Sequence, residues 1–207
     1  MKFVVTPNFI TRQDVDIIKS FQKPPTTEIL NYHIKSVNDG VKGWSVMYDF
    51  NKTAVSQEVT KFQGDGTMID ELPAYYEQLG HRIAETVGVS SENMFFQYIL
   101  IGSGGQVGKH YDAGKPGYVT YKCNICVEGP AEDLIHVDKG TLPVTPLGLY
   151  CFEANLYKHW METHDAPRIH LSYGYIVPYA DLGWSSDAPR VRLSNRIWNA
   201  YIQQLPQ

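Results

Sequence analysis

Apolar residues recur at spacings of three and four through Leu72, Tyr76, Leu79, Ile83 and Val87, the period of a helix with one buried face. Pro73 suits the first turn and Gly88 the C-terminal stop, so the spacing predicts a helix between them. Nearer the N-terminus, Val15, Ile18 and Phe21 form a second helical stripe. Thr11 can cap it, Asp14 stands at the capping-box position, and Ile10 with Val15 can form a hydrophobic staple. Pro24-Pro25 ends that helix by Lys23, and Phe3 to Val5 before it reads as a short strand.

Tyr32 to Val37 and Trp44 to Phe50 read as strands around the Asp39-Gly40 turn signal. Asn51 to Gly66 is a polar connection, a plain surface loop or a lid. From residue 94 onward the pattern turns to β. Phe95 to Ile101, Tyr118 to Val127, Leu134 to Val137, Leu147 to Phe152 and Ile169 to Val177 are strand-like runs separated by Gly, Pro and Asp clusters. Arg190 to Gln204 closes with an amphipathic helix through Leu193, Ile197, Trp198 and Tyr201. Helices followed by many short strands predict a mostly β chain with flanking helices, a sandwich or jelly roll.

Length and charge narrow this further. A chain of 207 residues buries about 70% of its unfolded surface, enough for one domain: a helical and hairpin part over 1–93, a jelly-roll core over 94–180, and a terminal helix over 190–204. Charged residues are 19% of the chain and the net charge is -4, totals without the basic footprint of a nucleic-acid or membrane partner. Met1 to Pro7 is too short an apolar run for a signal peptide, and nowhere do ~18 apolar residues run together. A soluble, cytoplasmic protein is expected. Three cysteines, Cys123, Cys126 and Cys151, fit a reducing compartment better than a disulfide framework. Cys123 and Cys126 have CxxC spacing, but on a strand they face opposite ways, so they read as two small strand residues.

Candidate chemistry centres on Gly102-Ser-Gly-Gly-Gln-Val-Gly-Lys-His110-Tyr-Asp112. His110 and Asp112, two apart on an extended segment, point to one face. With a second imidazole they would complete the 2-His-1-carboxylate set that suits non-haem Fe(II). Lys158-His159-Trp-Met-Glu-Thr-His164 offers two such imidazoles, and residue types alone leave His159 and His164 both open. Arg168 follows, a natural partner for the remote carboxylate of an organic acid. The glycines lack the spacing of a phosphate-binding loop and lead into His-Tyr-Asp rather than a helix, so they serve to bend the chain. His33, His81, His136 and His170 have no ligand partner at suitable spacing.

Over roughly residues 3 to 177 the chain resembles the prolyl 4-hydroxylase branch of the Fe(II)/2-oxoglutarate-dependent dioxygenases. The resemblance is carried by the opening Val4 to Val15 segment, by Gly102-x-Gly-Gly-Gln106 leading to His110-x-Asp112, by Val119 to Val127 and Val144 to Phe152, and by His159 with an arginine nine positions on. It implies a double-stranded β-helix, a cupin-like jelly roll. Fe(II) would be held by His110, Asp112 and His159, with Arg168 on the distal carboxylate of 2-oxoglutarate. O2 is then consumed, succinate and CO2 are released, and a C–H bond is hydroxylated, most naturally of a prolyl residue in a peptide or protein. Ascorbate is a further cofactor candidate.

The chain also departs from the family. Ile101 and Val107 stand where many members have tyrosines, and Ala131-Glu-Asp133 replaces a glycine pair. Thr120, Lys122, Asn124 and Cys126 share one strand face; if it lines the interior, Lys122 and Asn124 can reach 2-oxoglutarate, and Tyr98 is another donor. The alternatives are a non-redox cupin-like jelly roll that binds a metal or carbohydrate, or a hydroxylase of a free amino acid or other small molecule. An oxidative nucleic-acid demethylase fits less well, because Ile-His-Leu-Ser-Tyr after Arg168 lacks a second arginine.

Overall fold

A computed structural model of the protein describes residues 3–21, 43–50, 67–68, 72–112 and 114–182. The expected strand over 32–37, the turn at 38–40, the loop over 51–66, the helix over 190–204 and His33 lie outside the described residues. The chain opens with β1 (Val4–Thr6) and α1 (Arg12–Phe21), then β2 (Gly43–Asp49), β3 (Thr67–Met68) and α2 (Ala74–Val87). The expected capping box starts α1: Thr11 Oγ1 accepts from Asp14 N at 3.2 Å, and Asp14 Oδ2 accepts from Thr11 N at 2.7 Å. Pro73 sits at the N-cap of α2 rather than inside its first turn, and Gly88 ends the helix in the left-handed region at φ 74°. Only glycine enters that region without steric cost.

Eight strands follow: β4 (Met94–Ile101), β5 (Gly105–His110), β6 (Tyr118–Glu128), β7 (Asp133–Val137), β8 (Gly140–Val144), β9 (Leu149–Glu153), β10 (His159–His164) and β11 (Arg168–Pro178). They form a seven-stranded sheet ordered β1-β9-β6-β11-β4-β2-β3 and a four-stranded sheet ordered β5-β10-β7-β8. Apart from the parallel β2–β3 pair, neighbours are antiparallel. The mostly β, jelly-roll expectation therefore holds, with β3, β5, β8 and β10 added to the strand-like runs read from the sequence. Glycines dilute the pattern in β5. Pro143 interrupts β8, which is tolerable because β8 is an edge strand.

Strand alternation divides the core in two. Ile10, Val15 and Ile18 from around α1, with Tyr76, Leu79 and Ile83 from α2, pack on one face of the large sheet against Phe96, Tyr98, Cys123, Leu171 and Tyr173. The opposite face closes on the small sheet through Ile101, Cys126, Tyr150 and Phe152, meeting Ile135, Val137, Leu142 and Met161. Cys123 and Cys126 thus lie in different layers, and all three cysteines are free and buried. Among the described residues, no helix is long and apolar enough to cross a membrane.

Candidate metal centre

The two imidazoles meet because β5 and β10 pair with His110 and His159 as direct Cα partners. Directly opposed residues on antiparallel strands project from the same face. Beyond β5 the chain is pinned where Asp112 N donates to Ala154 O at 3.0 Å, which sets the Asp112 carboxylate beside both rings. Gly104, in the left-handed region at φ 72°, makes the bend between β4 and β5.

Asp112 Oδ1 lies 3.2 Å from His110 Nε2 and 3.4 Å from His159 Nε2. One ligand atom from each of the three residues lies within 4.8 Å of the others. Metal bonds of about 2.1 Å put adjacent ligands of an octahedral ion roughly 3.0 Å apart, so these separations fit one ion. The ring orientations also fit. His110 Nδ1 is 2.6 Å from Gly108 O and His159 Nδ1 is 3.2 Å from Tyr157 O. A carbonyl accepts and cannot donate, so each Nδ1 carries the proton and each Nε2 keeps its lone pair for a cation. Phe152 packs on His159 with ring centroids 4.8 Å apart.

Lys122 Nζ contacts Asp112 Oδ2 at 2.8 Å. Burial pushes the Asp112 carboxyl up, but Lys122, then His159 and His110 beside its Oδ1, outweigh it and hold the group well below the usual range. Burial dominates at His159 and lowers its pKa. Burial also pulls His110 down, but there the neighbouring Asp112 carboxylate prevails and raises it. Asp112 therefore stays ionised and His159 stays neutral, the forms a metal ligand set requires.

The other expected site residues are distributed by strand parity. Lys122 and Asn124 lie on the interior face of β6 with Cys126, which belongs to the inter-sheet layer. Tyr98 does not reach the interior: it packs in the helix-side layer, because even and odd positions of β4 point to opposite faces. His164 is also removed from the centre. It pairs with Gly105 at the far end of β10, and its Nδ1 accepts from Ala166 N at 3.0 Å.

Arg168 is buried at 1% exposure and reaches across to the small sheet. Its Nε lies 2.9 Å from Asp133 Oδ2, and its Nη2 donates to Glu162 O at 2.6 Å. Nη1 is buried without a hydrogen-bond partner among the described residues. Inward from Arg168 along β11 come His170, whose Nδ1 lies 3.1 Å from the Tyr150 hydroxyl, and Ser172. Asp133, Tyr150 and His170 carry no ligand spacing that marks them in the sequence; the available signal is the position of His170, two residues after Arg168 on a strand whose alternate members face inward.

No family model matches the chain, and no curated protein matches it in sequence. Solved structures do. A Pseudomonas putida prolyl-4-hydroxylase superposes with a TM-score of 0.51 at 11% identity, covering 85% of this chain and 92% of its own. A viral collagen prolyl hydroxylase from Paramecium bursaria Chlorella virus-1, solved as its 2-oxoglutarate complex, superposes with a TM-score of 0.53 at 9% identity, covering 86% and 96%. At such identities the likeness establishes the fold, a cupin-like jelly roll.

Proposed function

We propose that the protein is an Fe(II)- and 2-oxoglutarate-dependent oxygenase that hydroxylates a C–H bond, with a prolyl residue of a peptide or protein as the expected substrate. The reading is carried by the convergence of His110, Asp112 and His159 with both Nε2 atoms free to ligate. Two solved structures with this fold, which cover most of the chain, are prolyl hydroxylases, one of them with 2-oxoglutarate bound.

Bound at this centre, ferrous iron supplies the coupling of 2-oxo acid decarboxylation by O2 to hydroxylation of the substrate. The chain's own residues bind and orient. His110, Asp112 and His159 would hold the ion, a three-residue set that would leave it accessible to small molecules. Lys122 holds the second oxygen of Asp112. Arg168 and Asn124 are assigned to 2-oxoglutarate, Arg168 through its unpartnered Nη1.

Charge favours a diacid. Asp112 and Asp133 balance Lys122 and Arg168, so a divalent ion leaves two positive charges that one dianion cancels, and uncompensated charge inside a protein is costly. Phe152, packed on the His159 ring, gives that side of the centre an apolar wall.

Anaerobic addition of Fe(II) and then 2-oxoglutarate is expected to give a visible charge-transfer absorption that His159→Ala abolishes and His164→Ala preserves. Succinate release, screened over prolyl peptides and free amino acids with mass detection of one added oxygen, identifies the substrate. A second reading, a non-redox metal-binding jelly roll, draws on one observation: Asp133 already gives Arg168 a carboxylate partner. Metal binding without any binding of 2-oxoglutarate selects that reading instead.

A further inference from the structure

Three successive inward positions of β11 each carry a buried polar atom without a hydrogen-bond partner among the described residues: Arg168 Nη1, His170 Nε2 and Ser172 Oγ. Their residues are 1%, 2% and 0% exposed. Folded proteins pair nearly all such groups, and a run of exceptions calls for a reason. The orphans continue one line, since His170 is the Cα partner of Cys126, Ser172 of Asn124 and Gly174 of Lys122. That line joins the Arg168 end of the pocket to the Lys122–Asp112 end.

The protons on this line can be assigned. The Tyr150 hydroxyl is buried and has the Nδ1 of His170, at 3.1 Å, as its partner. Burial keeps the phenol protonated, and burial followed by the Arg168 charge keeps the imidazole neutral. A buried O–H needs an acceptor, so Tyr150 donates to Nδ1 and the ring proton sits on Nε2. His170 Nε2–H and Arg168 Nη1–H are then two orphaned donors on neighbouring inward positions, one of them cationic. Water can satisfy a donor, but a carboxylate satisfies both and neutralises the charge.

We propose that His170, with its ring orientation and tautomer fixed by Tyr150, is the second donor to the distal carboxylate of the bound 2-oxo diacid and so sets the pocket's preference for a diacid over a monoacid. The proposal rests on the oxygenase reading above. It accounts for one departure of the chain: Ile101 and Val107 stand where tyrosine hydroxyls would serve a cosubstrate, and His170 provides a donor from another strand.

The test is anaerobic titration of the Fe(II)-loaded protein with 2-oxoglutarate and with 2-oxovalerate, which has a methyl group in place of the distal carboxylate. His170→Phe is expected to weaken 2-oxoglutarate by about tenfold to a hundredfold while leaving 2-oxovalerate and Fe(II) affinity unchanged. His170→Gln, which keeps a donor, restores most of the loss, and Tyr150→Phe gives a smaller loss of the same selectivity. Nitrogen-15 NMR of the histidine rings is expected to show the Nε2–H tautomer at His170. Equal weakening of both acids shows a structural role only and overturns the proposal. So does an unchanged constant for 2-oxoglutarate in His170→Phe, which leaves water as the partner of the orphaned groups. If the wild-type loaded protein binds neither acid, the oxygenase reading fails and the proposal falls with it; wild-type binding without these differences sinks the His170 proposal alone.

Discussion

Lys122 Nζ sits 2.8 Å from Asp112 Oδ2, while Oδ1 of the same carboxylate faces both imidazoles. The two oxygens are thereby divided between an ammonium and the ligand set, and Lys122, 11% exposed at its side chain, offsets a charge that burial would otherwise penalise. Lys122→Met keeps the stem and removes the ammonium. Breaking a buried pair by deleting one partner costs about 3–5 kcal/mol, so chemical denaturation in a chelator should show a loss of roughly 3 kcal/mol. Because a bound cation also compensates Asp112, excess Co(II) should recover part of it; a deficit that Co(II) leaves unchanged would argue that Lys122 serves packing rather than charge.

Asp133 stands on Arg168 as Lys122 stands on Asp112. With its Nε beside Asp133 and its Nη2 on the Glu162 carbonyl, the guanidinium is held at two of its three nitrogens and is partly neutralised. Asn at position 133 retains an acceptor of nearly the same shape and removes the negative charge beside the incoming carboxylate. Asp133→Asn is therefore expected to tighten 2-oxoglutarate severalfold in the charge-transfer titration, at some cost in stability. Weaker binding would show that the full charge is needed to orient Arg168.

Several elements were legible in the chain because short-range rules decide them. The Thr11–Asp14 capping box and the Gly88 stop depend on neighbours within a turn, and alternation through β6 placed Lys122 and Asn124 on one face before the identity of that face was known. The pairing of β5 with β10 is long-range, so His110 meeting His159 could be anticipated only through ligand chemistry and family resemblance. Tyr98 shows the limit of a residue-type argument. A hydroxyl on a strand next to the ligand loop looks available, yet the side facing α2 and the side facing the small sheet are indistinguishable until the layers are known. His170 has no ligand spacing, and its role as a donor emerges only from its place beside Tyr150 and Arg168 on the inward face of β11.

The large sheet is fastened to α2 by two tyrosines. Tyr173 Oη donates to Tyr76 O at 2.8 Å and Tyr175 Oη donates to Gly80 O at 2.6 Å. Both side chains lie in the helix-side layer, away from the metal ligands. Tyr173→Phe and Tyr175→Phe should each lower unfolding free energy by about 1 kcal/mol and leave Fe(II) affinity unchanged, measured by denaturant midpoint and metal titration.

Gly174, on the opposite face of the same strand, predicts a larger effect. A Cβ there would fall inside the Phe95 ring, which is fully buried and has little room to yield. Gly174→Ala should cost roughly 1–3 kcal/mol, the usual range for overpacking. A neutral result would mean that β4 and β11 can separate without loss.

Acid should reveal His170 separately from the carboxylates. Burial, then the Arg168 guanidinium, brings its imidazole from the ordinary 6.5 down to about 3. As pH falls through 6.5 the unfolded chain takes up this proton and the folded chain does not, so the unfolded state binds more protons throughout that interval. Stability then rises with pH across it: the contribution of a neutral His170 is complete above 6.5 and is lost progressively toward pH 3, at up to about 1.4 kcal/mol per pH unit. His159, also lowered by burial, adds slope over the upper part of the same range. Asp112, held well below the usual carboxylate range, loses its stabilising effect only below about pH 4. Unfolding free energy of metal-free wild type and His170→Phe, measured between pH 4 and 7.5, should therefore diverge in slope between pH 4 and 6.5 and run parallel above 7. Parallel curves over the whole range would mean that His170 is hydrated well enough to titrate normally in the folded protein, and its Nε2 would then have water as its partner.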